Sequence, residues 1–151
     1  MRIVFAFHPS PETLPLDWRD GVPTGFVVRR IDQALAQQLQ DDLVAHGNPP
    51  WFEQFWGGID NFLNHGFGFV AIGPAGIASN CRAVWVRDGV AEIQVSTRGY
   101  GRHQGLATLV CRAFLEHCSA SGLTPGYGCE EDNLASIGLA HKLGFLPVVR
   151  I

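Results

Sequence analysis

The segment Gly99-Tyr100-Gly101-Arg102-His103-Gln104-Gly105-Leu106-Ala107-Thr108 leads from a strand-like run into one with helical apolar spacing. A helix start exposes unpaired backbone N–H groups and about half a positive charge, so an anion is stabilised there. Gly105 and Ala107 leave room for a pyrophosphate against the backbone, and Arg102 and Thr108 add a guanidinium and a hydroxyl. The Gly-Lys-Ser/Thr ending of a Walker loop is absent, and the preceding antiparallel pattern does not suit a dinucleotide fold. On spacing alone, an ordinary glycine-rich turn before a helix is an equal reading.

The elements around this segment follow from periodicity and turn chemistry. Arg2 to Phe7 reads as a strand, followed by an irregular arm with Pro9, Pro11, Pro15 and Pro23. Gly25 to Arg30 is a second strand. Asp32 then caps a helix with Leu35, Leu39 and Leu43 on one stripe. After Asn48-Pro49-Pro50, one helix is expected from Trp51 to Asn64, with aromatics around much of its circumference. Gly66 to Ile72, Gly76 to Val86 and Val90 to Thr97 form a meander, the last turn marked by Asp88-Gly89. Gly105 to Ser121 is a helix, Thr124 to Cys129 a strand, Asn133 to Leu143 a helix and Phe145 to Val149 a final strand. The fold class is a mixed α/β (α+β) arrangement in which an antiparallel meander precedes a βαβα unit.

Composition narrows the function. With 151 residues, 46% of them hydrophobic and 17% charged, the chain reads as one domain over residues 1–151, in which 1–24 are the N-terminal strand and Pro-rich arm. A net charge of −3, with Lys142 the only lysine, argues against a nucleic-acid surface. The sequence has no apolar run of the ~20 residues a membrane helix needs, and a cytoplasmic protein without a membrane partner is expected. Cys81, Cys111, Cys118 and Cys129 lack metal-ligand spacing, so buried thiols and no metal are expected.

The run from Ala91-Glu92-Ile93 through Arg102 to Thr108 resembles the signature of the GNAT superfamily of acyl-CoA N-acyltransferases. Arg102, Gly105 and Ala107 match its Arg/Gln-x-x-Gly-x-Gly/Ala cradle in register. A second element, Asn133, Ser136, Ala140, Lys142, Leu143, Gly144 and Phe145, is similar to the family's Asn-x-x-Ser-x-x-x-Ala-x-Lys-Leu-Gly-Phe. The resemblance implies a GNAT-like fold with a splayed parallel strand pair, and acetyl-CoA as cosubstrate. Its pantetheine arm would pair with the backbone of Val95, Ser96 and Thr97. Its pyrophosphate would sit on His103, Gln104, Gly105, Leu106, Ala107 and Thr108, with Arg102 alongside. Asn133 would cap the last helix or bond the arm.

The implied reaction is direct attack by a primary amine of a small molecule on the thioester, in a ternary complex. An amine must shed a proton before attack, so a base is needed. Glu92 is the first choice, on the same strand face as Gln94 and opposite Ile93 and Val95; a solvated strand carboxylate is the equal alternative. Many relatives carry a tyrosine acid at the position of Ala140, which cannot donate a proton, so Ser136, four residues earlier on that helical face, is the candidate in its place. Cys129 reads as a packed thiol, His141 as a surface histidine, and Glu130, Glu131 and Asp132 as a solvated turn that could attract a cation. Trp51, Phe55, Trp56 and Phe62 would lie near the acceptor pocket or form core.

Most relatives continue beyond the last helix with two strands, where this sequence has length for one. The open sheet edge is expected to be covered by Arg2 to Phe7 or by a second subunit, a homodimer. A catalytically inactive acyl-CoA-binding module and a protein or peptide N-acetyltransferase are the alternative functions.

Overall fold

The computed structural model describes residues 1–9, 17–99 and 105–151. In chain order these form β1 (Arg2–Phe7), a 3-10 turn (Trp18–Gly21), β2 (Val27–Arg30), α1 (Gln33–Ala45), α2 (Trp51–Trp56) and α3 (Ile59–His65). There follow β3 (Gly68–Gly73), β4 (Gly76–Arg87), β5 (Val90–Thr97), α4 (Leu106–Ser121), β6 (Thr124–Glu130), α5 (Leu134–Leu143) and β7 (Phe145–Arg150). The mixed α/β class and the meander-then-βαβα order are those read from the sequence.

All seven strands join one sheet in the order β2-β3-β4-β5-β6-β1-β7. Pairing is antiparallel from β2 to β5, parallel between β5 and β6, and antiparallel again where β1 meets β6 and β7. Thus Arg2–Phe7 does not cap an outer edge; it is inserted between the last two strands, with Phe5 opposite Tyr127 on one side and Pro147 on the other. The pairing that a second subunit would have supplied is made within the chain.

Helix α4 packs on one face of the sheet, and its buried Leu106, Val110, Phe114 and Cys118 meet Ala78, Cys81, Ala83 and Ile93. On the opposite face α1 buries Leu35, Ala36, Leu39 and Leu43 beside Phe52, Phe62, Val70 and Ile77. Asp32 caps α1 through a 2.9 Å bond from the Leu35 amide. The four cysteines are buried free thiols, with the Cys81 and Cys111 sulfurs 3.6 Å apart.

The single helix expected over Trp51 to Asn64 is two. Gly57 and Gly58 take φ values of +75° and +144°, and the Gly57 amide closes α2 on the Glu53 carbonyl at 3.1 Å. Aromatic spacing continues through the break and hid it; paired glycines, Gly57 in the left-handed region L residues rarely adopt and Gly58 in one reserved for glycine, end the helix.

Candidate active site

Strands β5 and β6 pair only from Val90/Thr124 to Glu92/Gly126 and then diverge. The Arg98 amide bonds the Ala78 carbonyl at 2.7 Å, which fixes the phase of β5 against β4. By alternation the backbone of Ser96 turns toward β4, whereas Val95 and Thr97 present N–H and C=O to the gap. The Ser96 carbonyl is further engaged by the Ser79 hydroxyl at 3.1 Å, and the Ser96 hydroxyl accepts from Asn80 at 3.0 Å. A cleft of about 830 Å³ occupies the divergence, with Val95 on its β5 wall, Tyr127, Gly128 and Cys129 on its β6 wall and Asn133 and Ser136 at the start of α5.

Helix α4 opens with Gly105 at φ +71°, a residue without a side chain to cap it, and among the described residues no side chain caps its first turn. Among the described residues, the first-turn amides of Leu106, Ala107 and Thr108 therefore keep free donor capacity. Among the described residues, chain neighbours and the helix's own backbone aside, no atom lies within 4 Å of where a Gly105 Cβ would stand. Arg102, His103 and Gln104 fall outside the described residues.

Glu92 lines the cleft from β5 on the same face as Gln94. Its side chain is 18% exposed and lies 3.8 Å from Arg2 Nη2. Burial raises its carboxyl above the ordinary carboxylate value, and the Arg2 guanidinium opposes that shift. Glycines on β6 make the room: a Cβ on Gly126 would collide with Glu92 Oε2, and one on Gly128 would come within 2.7 Å of Arg2 Nη2.

Asn133 caps α5, its Oδ1 accepting from the Ser136 amide at 3.1 Å. The Tyr127 hydroxyl donates to the Ser136 carbonyl at 2.9 Å. Burial pushes the Tyr127 phenol well above its usual value, so it stays protonated at neutral pH. Ala140 is fully buried, and among the described residues the hydroxyls on the cleft wall are those of Tyr127 and Ser136. Burial also raises the Cys129 thiol, which disfavours the thiolate needed for a nucleophile.

Of the four aromatics expected near the acceptor, only Phe55 lines the cleft, joined by Trp85. Phe62 is core; Trp56 donates to the Ala83 carbonyl at 2.9 Å. Trp51 is buried, donates to Gln94 Oε1 at 3.0 Å and lies 4.4 Å from the Arg82 guanidinium. Glu130 lines the cleft and Glu131 follows it; both are exposed, near the Met1 amino nitrogen at 3.5 and 3.9 Å. His141 is exposed. Two polar cleft residues were not singled out in the sequence, Arg2 and Tyr127. Alternation in Thr124 to Cys129 could have flagged Tyr127, whereas Arg2 depends on which strand β1 joins. Among the described residues no cluster of three potential metal ligands occurs, and no helix is long and apolar enough to cross a membrane.

The site therefore combines a splayed parallel strand pair with a helix that starts at a glycine between them in sequence. Residues 7–149 match the GNAT acetyltransferase family, and the chain belongs to it. It is 31% identical to the uncharacterized N-acetyltransferase YdfB of Bacillus subtilis (strain 168), over 97% of this chain and 53% of that protein. The chain thus spans about half the length of the curated relative it matches. The fold is similar to a GCN5-related N-acetyltransferase-like protein from Streptococcus suis 89/1591, with a TM-score of 0.73, 23% identity and coverage of 99% of this chain and 59% of that one. It is also similar to yncA from Salmonella typhimurium, solved with its cofactor acetyl-CoA, with a TM-score of 0.61, 18% identity and coverage of 82% and 80%.

Proposed function

We propose that this chain transfers an acetyl group from acetyl-CoA to a primary amine of a small molecule, in the cytoplasm. The observation that carries it is the divergence of β5 from β6 beside the glycine start of α4, with the Glu92 carboxylate on the β5 wall of the cleft. The extended arm of acetyl-CoA would add to the free edge of β5 at Val95 and Thr97, and its pyrophosphate would meet the first-turn amides of α4. Arg102, His103 and Gln104 are proposed to complete that cradle. An outward amide of β5 would polarise the thioester carbonyl, a fixed donor of oxyanion type.

The amine loses a proton to Glu92, its nitrogen bonds the carbonyl carbon, and the carbon–sulfur bond breaks as the tetrahedral centre collapses. The products are an acetamide and CoA: the second proton of the attacking nitrogen passes to the departing thiolate, directly or relayed through the Ser136 or Tyr127 hydroxyl, which gives up one proton and regains another. Asn133 holds the first turn of α5 in place and so positions both hydroxyls.

Calorimetric titration with acetyl-CoA and desulfo-CoA tests the cradle. Ala107→Asp makes the test selective, because a carboxylate in a first helical turn stabilises the helix yet repels pyrophosphate. Micromolar binding that weakens at least about tenfold, roughly 1.4 kcal/mol, in a variant of undiminished stability is the expected result. A folded wild-type chain that binds neither ligand overturns the proposal.

A further inference from the structure

The charges inside the cleft bear on which amine is accepted, given the acetyl-transfer reading above. Three charged side chains are among the described residues lining it: Arg2, Glu92 and Glu130. Glu130 stands at the rim, 61% exposed and 3.5 Å from the Met1 amino nitrogen. Arg2 and Glu92 face one another further in, and their 3.8 Å separation is within ionic reach but beyond hydrogen-bonding distance. The carboxylate therefore leaves the donors of the guanidinium unspent. Arg2 is also well anchored, since β1 is paired on both sides.

A second guanidinium reinforces that positive charge. Arg82 is in register with Gln94, a cleft residue, and is 2% exposed beneath Trp51. Its Nε and Nη1 have no hydrogen-bond partner, and no carboxylate pairs with it among the described residues. A buried cation without a counter-charge favours negative charge in the adjoining space. A simple amine or a polyamine would find Glu92 and be repelled by both guanidiniums. An acceptor with a carboxylate beside its amine satisfies both partners of the open pair, and the guanidinium fork suits a carboxylate geometrically.

We propose that the acceptor is an amino carboxylate, an amino acid or close analogue, whose carboxylate is held by Arg2 while its amine faces Glu92. Phe55, Trp85 and Val4 on the cleft wall favour an apolar or aromatic side group on that molecule.

The test uses matched pairs differing only in the carboxylate: phenylalanine and phenethylamine, tryptophan and tryptamine, leucine and isoamylamine, 4-aminobenzoate and aniline. Each is titrated against the CoA-saturated chain and assayed with acetyl-CoA, in wild type, Arg2→Gln and Arg2→Lys. At least one carboxylated member should bind and turn over about tenfold or more better than its partner. Arg2→Gln should erase that ratio through KM, and Arg2→Lys should restore part of it. Equal loss for both members of a pair would mean that Arg2 acts only through Glu92, and the proposal fails. It fails too if the plain amines are preferred or if no carboxylated member binds. Failure of the acetyl-transfer reading looks different: a carboxylate preference in binding would persist while no amine is acetylated.

Discussion

Burial lifts the Glu92 carboxyl and Arg2 pulls it back, so the two residues together set the pH at which a base becomes available. As a base Glu92 must be deprotonated, and activity rises with pH through its raised pKa. Removing the opposing cation in Arg2→Gln lets the pKa climb further, so the acidic limb of kcat/KM should move to higher pH for one and the same amine; an unmoved limb would remove Glu92 from the role. The linkage to stability has the opposite sign. The folded state holds this proton more tightly than the unfolded state, so the contribution of Glu92 is favourable at low pH and is lost as pH rises through the folded pKa. Tyr127→Phe tests the proton donor: kcat should fall on the order of 100-fold with acetyl-CoA binding unchanged, whereas an unchanged kcat would leave Ser136 alone in that role. The family resemblance pointed to Glu92, and strand alternation gave its face, which follows from its neighbours and lines the cleft. Arg2 was not legible, because the strands that flank β1 lie more than a hundred residues away in the sequence and no local pattern encodes such a pairing.

Helix boundaries set by side-chain chemistry could be read directly, and those set by backbone conformation could not. Asp32 announces α1 because a carboxylate before an apolar stripe caps a helix, and its bond to the Leu35 amide is present. Gly57-Gly58 left no such mark, since Trp51, Phe52, Phe55, Ile59 and Phe62 keep helical spacing across it. The break has a consequence for the site, because it lets α2 lay Trp51 over Arg82 and Gln94 while α3 turns back against α1. Gly58 at φ +144°, ψ 165° occupies a region reserved for glycine, and the space around it is open, so the strain of a side chain is conformational rather than steric crowding. Gly58→Ala should lower unfolding free energy by about 1–3 kcal/mol in urea titrations. Because α2 would be re-aimed, the Trp51 fluorescence of the folded variant should shift as well; a change below about 0.5 kcal/mol would mean that the helices can fuse without cost.

At the scale of the whole molecule, the sheet is completed by a strand that joins it from the far end of the sequence. Arg2 lies opposite Glu130 and Phe7 opposite Phe145, so β1 closes the longest loops in the chain, whereas β3, β4 and β5 are joined by short turns. Loop closure must be completed before such contacts stabilise anything, which places β1 docking late in folding. Phe5 reports on that step: it is 4% exposed and meets Tyr127 edge-on at 5.6 Å. Phe5→Ala should cost about 3–5 kcal/mol at equilibrium. If docking follows the rate-limiting barrier, nearly all of that loss should appear as faster unfolding, with the refolding arm of the chevron unmoved. Slower refolding with unchanged unfolding would instead make the β1–β6 pair part of the nucleus. The late-docking outcome also bears on the cleft, because β1 carries Arg2 and Val4 into its wall. A state with β1 detached would keep the meander and α4 but lose the pairing of Arg2 with Glu92. The acceptor side of the site would then be the last part of the molecule to form and the first to open.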